Sequence, residues 1–137
     1  DERKEAKRVS LSCIRKGTVA AAAFGFLFAV SGRSLLGIFT DNEDILRMAY
    51  LALVMDAVSV FAKNVNLTLG NSLRAVGDVH YPIIISVISM WGIGTGLAWV
   101  LGCVLEFGLA GIFAAFLADE VLRSFFLWHR WNRVIQL

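Results

Sequence analysis

The sequence predicts an all-α, polytopic membrane bundle of four spanning helices. Three observations carry this. Hydrophobic residues make up 58% of the 137 residues and charged residues only 18%, against about 45–50% and about 25% in soluble domains. The stretch from Tyr81 to Leu105 contains no charge, and a spanning helix needs about 20 largely apolar residues. A single Pro argues against a loop-rich fold, while the 12 Gly suit close helix packing in lipid.

The first span runs from Gly17 to Phe39 and is interrupted by Arg33. The amphipathic lead-in Arg3–Lys16 continues it into the headgroups, so one helix covers about 5–39. Thr40–Asp44 reads as a turn and a helix start, with Thr40 or Asp41 capping the free N–H groups and acids suiting the helix dipole. The second span, Ile45–Leu73 within a helix over 43–75, carries Asp56 and Lys63. Gly77 and Asp78 end it. Pro82 sits in the first turn of the third helix, 80–105, where a missing N–H costs little. Glu106–Gly108 makes a tight turn into the fourth helix, 107–133, whose apolar part Phe107–Trp128 is broken by Asp119, Glu120 and Arg123. A soluble four-helix bundle would need polar stripes on its outward faces. The third span offers only Ser86, Ser89 and Thr95. Gly92 and Gly96 form a small-xxx-small pair, which predicts close approach of another helix there.

Several function classes are excluded. A net charge of +2 is too small to suggest nucleic acid as a partner. Cys13 and Cys103 lack the spacing of a disulfide framework or a metal site, so neither metal nor cofactor is expected. His80 and His129 fall at membrane edges, no nucleophile–base pairing is evident, and an enzyme is not expected. No secretory leader is recognisable, and a start at Asp1 reads as a fragment or a trimmed chain.

Orientation follows from the Lys/Arg asymmetry. Arg3, Lys4, Lys7, Arg8, Arg15, Lys16, Arg74, Arg130 and Arg133 fall on one side of a four-span chain, and the acidic 41–44 loop and Glu106 on the other. Both termini are therefore expected in the cytoplasm, with Tyr81, Trp128 and Trp131 in the aromatic belt on that side.

Ionisable groups inside a span are costly and mark a partner or an aqueous cavity. Lys63 precedes Arg74 by eleven residues and Glu120 precedes Arg130 by ten, so both lie roughly 15–16 Å from the cytoplasmic interface. The matched depth predicts that Lys63 faces Glu120 or Asp119. Asp119 and Glu120 can also pair with Arg123 within one helix. Asp56 lies two turns before Lys63 on the same face, and Asn64, Asn66 and Asn71 add amides nearby. Two readings stay open: a polar cavity that binds or releases a proton or cation, and a set of salt bridges that fixes helix packing.

The junction Leu73-Arg74-Ala75-Val76-Gly77-Asp78-Val79-His80-Tyr81-Pro82 resembles the Leu-Arg-Gly-x-Gly-Asp-Thr-Arg-x-Pro segment of multidrug and toxic compound extrusion (MATE) transporters. Leu36–Asp41 looks like that family's Phe-Thr-x-Asp loop, and Met90-Trp91 with Leu97-Ala98-Trp99 like its Trp…Pro-Leu-x-Tyr helix. Gly108–Ile112 looks like its Gly-Leu-x-Gly-x-Trp helix start, and Asp119-Glu120…Arg123 with Arg130-Trp131 like its C-terminal end. The departures are Ala75 for Gly, Val79 for Thr, His80 for Arg and Gly96 for Pro.

The resemblance implies twelve helices in two six-helix lobes. This chain would supply helices nine to twelve of them, or three to six as the alternative, the remaining helices being further partners. It implies a multi-pass cell-membrane antiporter that exports organic, often cationic, drugs or toxins in exchange for H+ or Na+. In sodium-coupled members an Asp on helix ten takes part in cation binding, and its place here is Lys63. Another subgroup is similar in having Lys there, with an Asn three residues on, as Asn66 is. A lysine ammonium at that place can carry a proton or hold Glu120 ionised. A lipid-linked oligosaccharide flippase and a non-transporting membrane scaffold are the competing readings.

Overall fold

The computed structural model describes residues 2–136, with side chains from 4 to 135. Helix α1 spans Glu2–Leu36 and α2 spans Glu43–Ala75. A third helix, α3, spans His80–Val104, and α4 spans Gly108–Gln136. No strand occurs among the described residues.

Each junction has a local cause. At the end of α1, Gly37 N–H donates to the Arg33 carbonyl at 3.0 Å and Phe39 N–H to the Leu36 carbonyl at 3.0 Å, so the helix closes into a turn at Leu36 rather than running to Phe39. The cap of α2 is Asn42, not Thr40 or Asp41. Its side chain accepts from the Asp44 and Ile45 N–H groups at 3.0 and 3.4 Å, while Thr40 Oγ1 accepts from Asn42 N–H at 3.2 Å. The amide one residue further on reaches the free donors, and the hydroxyl holds the Asn42 backbone N–H. Glu43 and Asp44 then lie in the first turn, where the helix dipole favours them.

At the other end, Gly77 has φ +92°, a left-handed conformation that favours glycine. Asp78 N–H donates to the Leu73 carbonyl at 2.9 Å and Gly77 N–H to the Arg74 carbonyl at 3.1 Å. This is a Schellman closure. The turn into α4 places Glu106 and Gly108 at φ +56° and +58°.

Helix α2 lies at the centre, with α1 on one side and α4 on the other; α3 packs chiefly on α4. Leu69 and Leu73 of α2 meet Leu127 and Trp131 of α4 in the buried core. Trp131 is only 2% exposed, so it is a core residue and not a belt residue. Its position four residues after Leu127 puts it on the face that meets α2. Trp128 lies off that face and is 40% exposed.

The close approach on α3 differs from the expected one. Nothing lies within 4 Å of a Cβ built on Gly92, and one on Gly96 meets only its own helix's Trp91 carbonyl at 3.9 Å. The tight contact is at the α3–α4 hairpin, where a Cβ on Gly111 would lie 2.7 Å from the Leu101 carbonyl oxygen. Two π-helical stretches, Ser89–Thr95 and Val100–Val104, interrupt α3.

Phe24, Phe26, Val30, Ile84, Trp91, Trp99 and Phe125 all face outward. Such a surface suits hydrocarbon and not water. Three helices, Lys4–Leu36, Glu43–Ala75 and His80–Val104, are long and apolar enough to cross a membrane. The 29-residue α4 is long enough but is not among them. Its Asp119, Glu120 and Arg123 lower its hydropathy, and these side chains turn toward α2 and α3.

Candidate functional site

A cleft of about 300 Å³ lies between α2, α3 and α4. Lys63, Asn66, Asn71 and Arg74 of α2 line one wall, Glu120 and Arg123 of α4 the other, and Pro82 and Ser86 of α3 contribute the third. The intramembrane charges singled out in the sequence thus gather around this space, with two exceptions. Asp56 lies along a separate shallow pocket between α1 and α2, and Asp119 lies behind the wall.

The expected pairing of Lys63 with Glu120 or Asp119 is absent. Lys63 Nζ instead donates to Asp56 Oδ1 at 2.8 Å, two turns back on its own helix. Ser59 Oγ also donates to Asp56, to the carbonyl at 2.8 Å and to Oδ1 at 3.1 Å. The reason is rotational. Three residues turn a helix by about 300°, so Asn66 points about 60° away from Lys63 around α2. Asn66 is the residue that faces α4. Its Nδ2 donates to the Glu120 carbonyl at 3.0 Å and to Glu120 Oε2 at 2.5 Å. Ser124 Oγ completes the seam, donating to the Ala62 carbonyl at 3.1 Å across the contact and to the Glu120 carbonyl at 2.8 Å.

Asp119 is 5% exposed and has two partners. Arg123, one turn on, forms the ion pair, and Ser89 Oγ of α3 donates to the other carboxylate oxygen. Ser89 was visible in the sequence only as a neutral polar position in an apolar span. Its burial and its partner depend on which face of α3 meets α4, which spacing alone does not specify.

The residues of the second junction do separate work. Leu73 is fully buried in the core. Arg74 Nη1 donates to Asn71 Oδ1 at 3.2 Å on the exposed side. Gly77 supplies the left-handed turn that brings Asp78 back toward α4, where Arg130 Nε donates to Asp78 Oδ2 at 2.6 Å. The Arg130 guanidinium also sits 5.0 Å above the Tyr81 ring. The loop is thereby fastened to α4 by an ion pair and a cation–π contact.

Three buried polar atoms lack a hydrogen-bond partner among the described residues: Asn66 Oδ1, Arg123 Nε and Trp131 Nε1. Two of the three belong to the cleft walls. A neutral amide and a carboxylate are thus in contact, with spare hydrogen-bonding capacity beside them.

The MatE family model matches residues 1–100 of the chain. An uncharacterized transporter, YisQ of Bacillus subtilis, is 41% identical over 112 residues, covering 82% of this chain and 25% of its own length. A probable multidrug resistance protein NorM of Thermotoga maritima is 27% identical over 132 residues, covering 90% of this chain and 28% of its own length. The NorM of Idiomarina loihiensis is 26% identical over 122 residues, covering 86% and 26%. The chain thus spans about a quarter of the length of these curated relatives. No solved structure matches at a significant level. The helical architecture, the outward apolar surface and the extent of the family match agree: this chain belongs to the MatE family of multidrug and toxic compound extrusion transporters.

Proposed function

We propose that the chain supplies helices nine to twelve of a secondary-active antiporter that exports small organic, often cationic, compounds by alternating access of two lobes. Both termini lie in the cytoplasm in this reading, and all four helices cross the bilayer, α4 with its charges turned inward. The coupling ion is a proton, carried by Glu120 with Asn66 as its partner. Relatives named as multidrug resistance proteins support the export of drugs.

The observation that carries the proton reading is the Asn66–Glu120 contact. Glu120 lines the cleft at mid-depth, and its side chain has a neutral amide as partner and no ion pair among the described residues. Asn66 Nδ2 suits the ionised carboxylate, while the unpartnered Oδ1 can accept the O–H of the protonated acid after a half-turn of the amide. One side chain can therefore serve both protonation states, which a fixed lysine counter-ion could not. An unneutralised carboxylate in low dielectric also attracts a cationic substrate, so proton and substrate would compete for one site. Lys63 and Asp56 neutralise each other and hold one wall in this scheme.

Efflux of a cationic dye from proteoliposomes containing the intact transporter tests this. With an imposed proton gradient and no sodium, wild type should export, and Glu120→Gln should lose about tenfold or more of the rate. Wild-type export by Glu120→Gln would remove Glu120 from coupling. Export driven by a sodium gradient alone would overturn the choice of proton.

A further inference from the structure

We infer that Ser89 is a positioning residue for transport: through Asp119 it fixes the Arg123 guanidinium at the wall of the cleft, beside Glu120. This rests on the reading of Glu120 as the proton carrier.

Four observations converge. Ser89 is 4% exposed in a span with little other polar content, and its hydroxyl donates to Asp119. Asp119 is 5% exposed and accepts from Arg123 through its other oxygen, so the carboxylate is held from α3 and from its own helix at once. Helix α3 packs against it at ordinary van der Waals distance. The backbone is π-helical over Ser89–Thr95, and a Cβ built on Gly94 would lie 3.6 Å from the Asp119 carboxyl carbon. Thr95 Oγ1 donates to the Met90 carbonyl at 3.0 Å, so part of the altered backbone pattern is satisfied locally. Arg123 in turn lines the cleft, while Asp119 does not.

The result is an oriented pair. The cation stands at the cleft wall and the anion stands behind it against α3. Arg123 follows Glu120 by three residues, about 60° around α4, and both line the cleft. Glu120 consequently meets the positive end of a pair whose net charge is near zero. The other charged groups around Glu120 are Lys63 and Arg74 on α2. Helix α3 presents only Pro82 and Ser86, and no residue of α1 lines the cleft. Removing the Ser89 hydroxyl frees one side of the Asp119 carboxylate. The pair can then draw back from the wall, and the positive field at Glu120 falls. Less positive field favours a bound proton.

The test is the pH profile of dye efflux by the intact transporter in proteoliposomes. Ser89→Ala should move the midpoint toward alkaline pH by about half a unit or more, a roughly threefold change in proton binding. Ser89→Thr, which keeps the hydroxyl, should return it toward wild type. A role confined to packing would lower the amount or thermal stability of the protein and leave the midpoint in place. An unshifted or acid-shifted Ser89→Ala midpoint, with Glu120→Gln inactive, overturns the inference and spares the reading of Glu120. Wild-type export by Glu120→Gln overturns both. Should Ser89→Ala fail to accumulate in the membrane, Arg123→Lys takes its place. It keeps the charge but loses the forked hydrogen-bonding geometry, and an unshifted midpoint there overturns the inference equally.

Discussion

Along one side of α2, apart from the exposed Arg33–Glu43 pair at the loop end, helix α1 is held by neutral groups and small residues. Asn64 Nδ2 donates to the Ile14 carbonyl at 3.0 Å and Gly17 lies beneath it. The Ser10 and Ser72 hydroxyls meet at 2.8 Å, and Tyr50 Oη donates to the Ala29 carbonyl at 2.8 Å. Along the other side the polar contacts to α4 and from α4 to α3 involve charge: Asn66 with Glu120, Ser89 with Asp119 and Arg123, and Asp78 with Arg130. The α1 seam has the character of a close-packed joint. The α4 seam holds groups that carry charge. The two kinds of contact occupy opposite faces of one helix.

The largest expected effect breaks the charged side. Arg123→Ala leaves Asp119 buried with only Ser89 to stabilise it. Losing one member of a buried pair costs about 3–5 kcal/mol, so the purified intact protein should unfold at markedly lower temperature in detergent. Asp119→Asn combined with Arg123→Gln removes both charges and should recover much of that loss. Equal destabilisation in the double variant would show that packing, rather than charge balance, is what the pair supplies.

The neutral side should break for steric reasons. A Cβ on Gly17 would collide with the Asn64 amide. Gly17→Leu should therefore displace α1, at about 1–3 kcal/mol, read as a fall in melting temperature in detergent. It should leave the pH midpoint of efflux in the surviving protein unchanged. A shifted midpoint in Gly17→Leu would mean that the two sides of α2 are coupled and that the comparison fails.

The sequence revealed the elements better than the pairings. Tyr81–Leu105 is apolar enough to be read directly, and Gly77-Asp78 carries the chemistry of a helix stop. The matched depth of Lys63 and Glu120 could be read from spacing, because depth depends only on rise per residue. Their partners could not, because partners depend on rotation. A 60° turn around α2 separates Lys63 on Asp56 from Asn66 on Glu120. Ser89 was hidden for a related reason: in a span that is apolar all round, nothing marks which face of α3 meets α4. The cap at Asn42 lay one residue beyond the expected candidates, the ordinary uncertainty of a helix end.

Smaller changes sharpen the comparison. Asn64→Ala removes a hydrogen bond across the α1 seam. Interhelical hydrogen bonds in membranes average about 0.6 kcal/mol, so the melting temperature should fall by only a degree or two. Asn66→Ala on the opposite face loses a contact of similar geometry. There the removed amide is the partner of Glu120, and efflux should fall several-fold with little change in stability. Two asparagines two residues apart on one helix would then differ in kind, one structural and one functional. Equal effects on efflux would erase the distinction between the two sides of α2.

The smallest effect is expected at the loop end, where Arg33 and Glu43 pair at 3.2 Å with 69% and 76% of their side chains exposed. Exposed pairs contribute about 0–1 kcal/mol, so Arg33→Ala should leave both melting temperature and efflux within error of wild type. This position is the control for charge as such. Arg33 and Arg123 are both arginines paired to a carboxylate, yet only one stands at the cleft and only one pair is buried. If Arg33→Ala lowered the melting temperature as far as Arg123→Ala should, burial and position would not be what gives the α4 charges their effect.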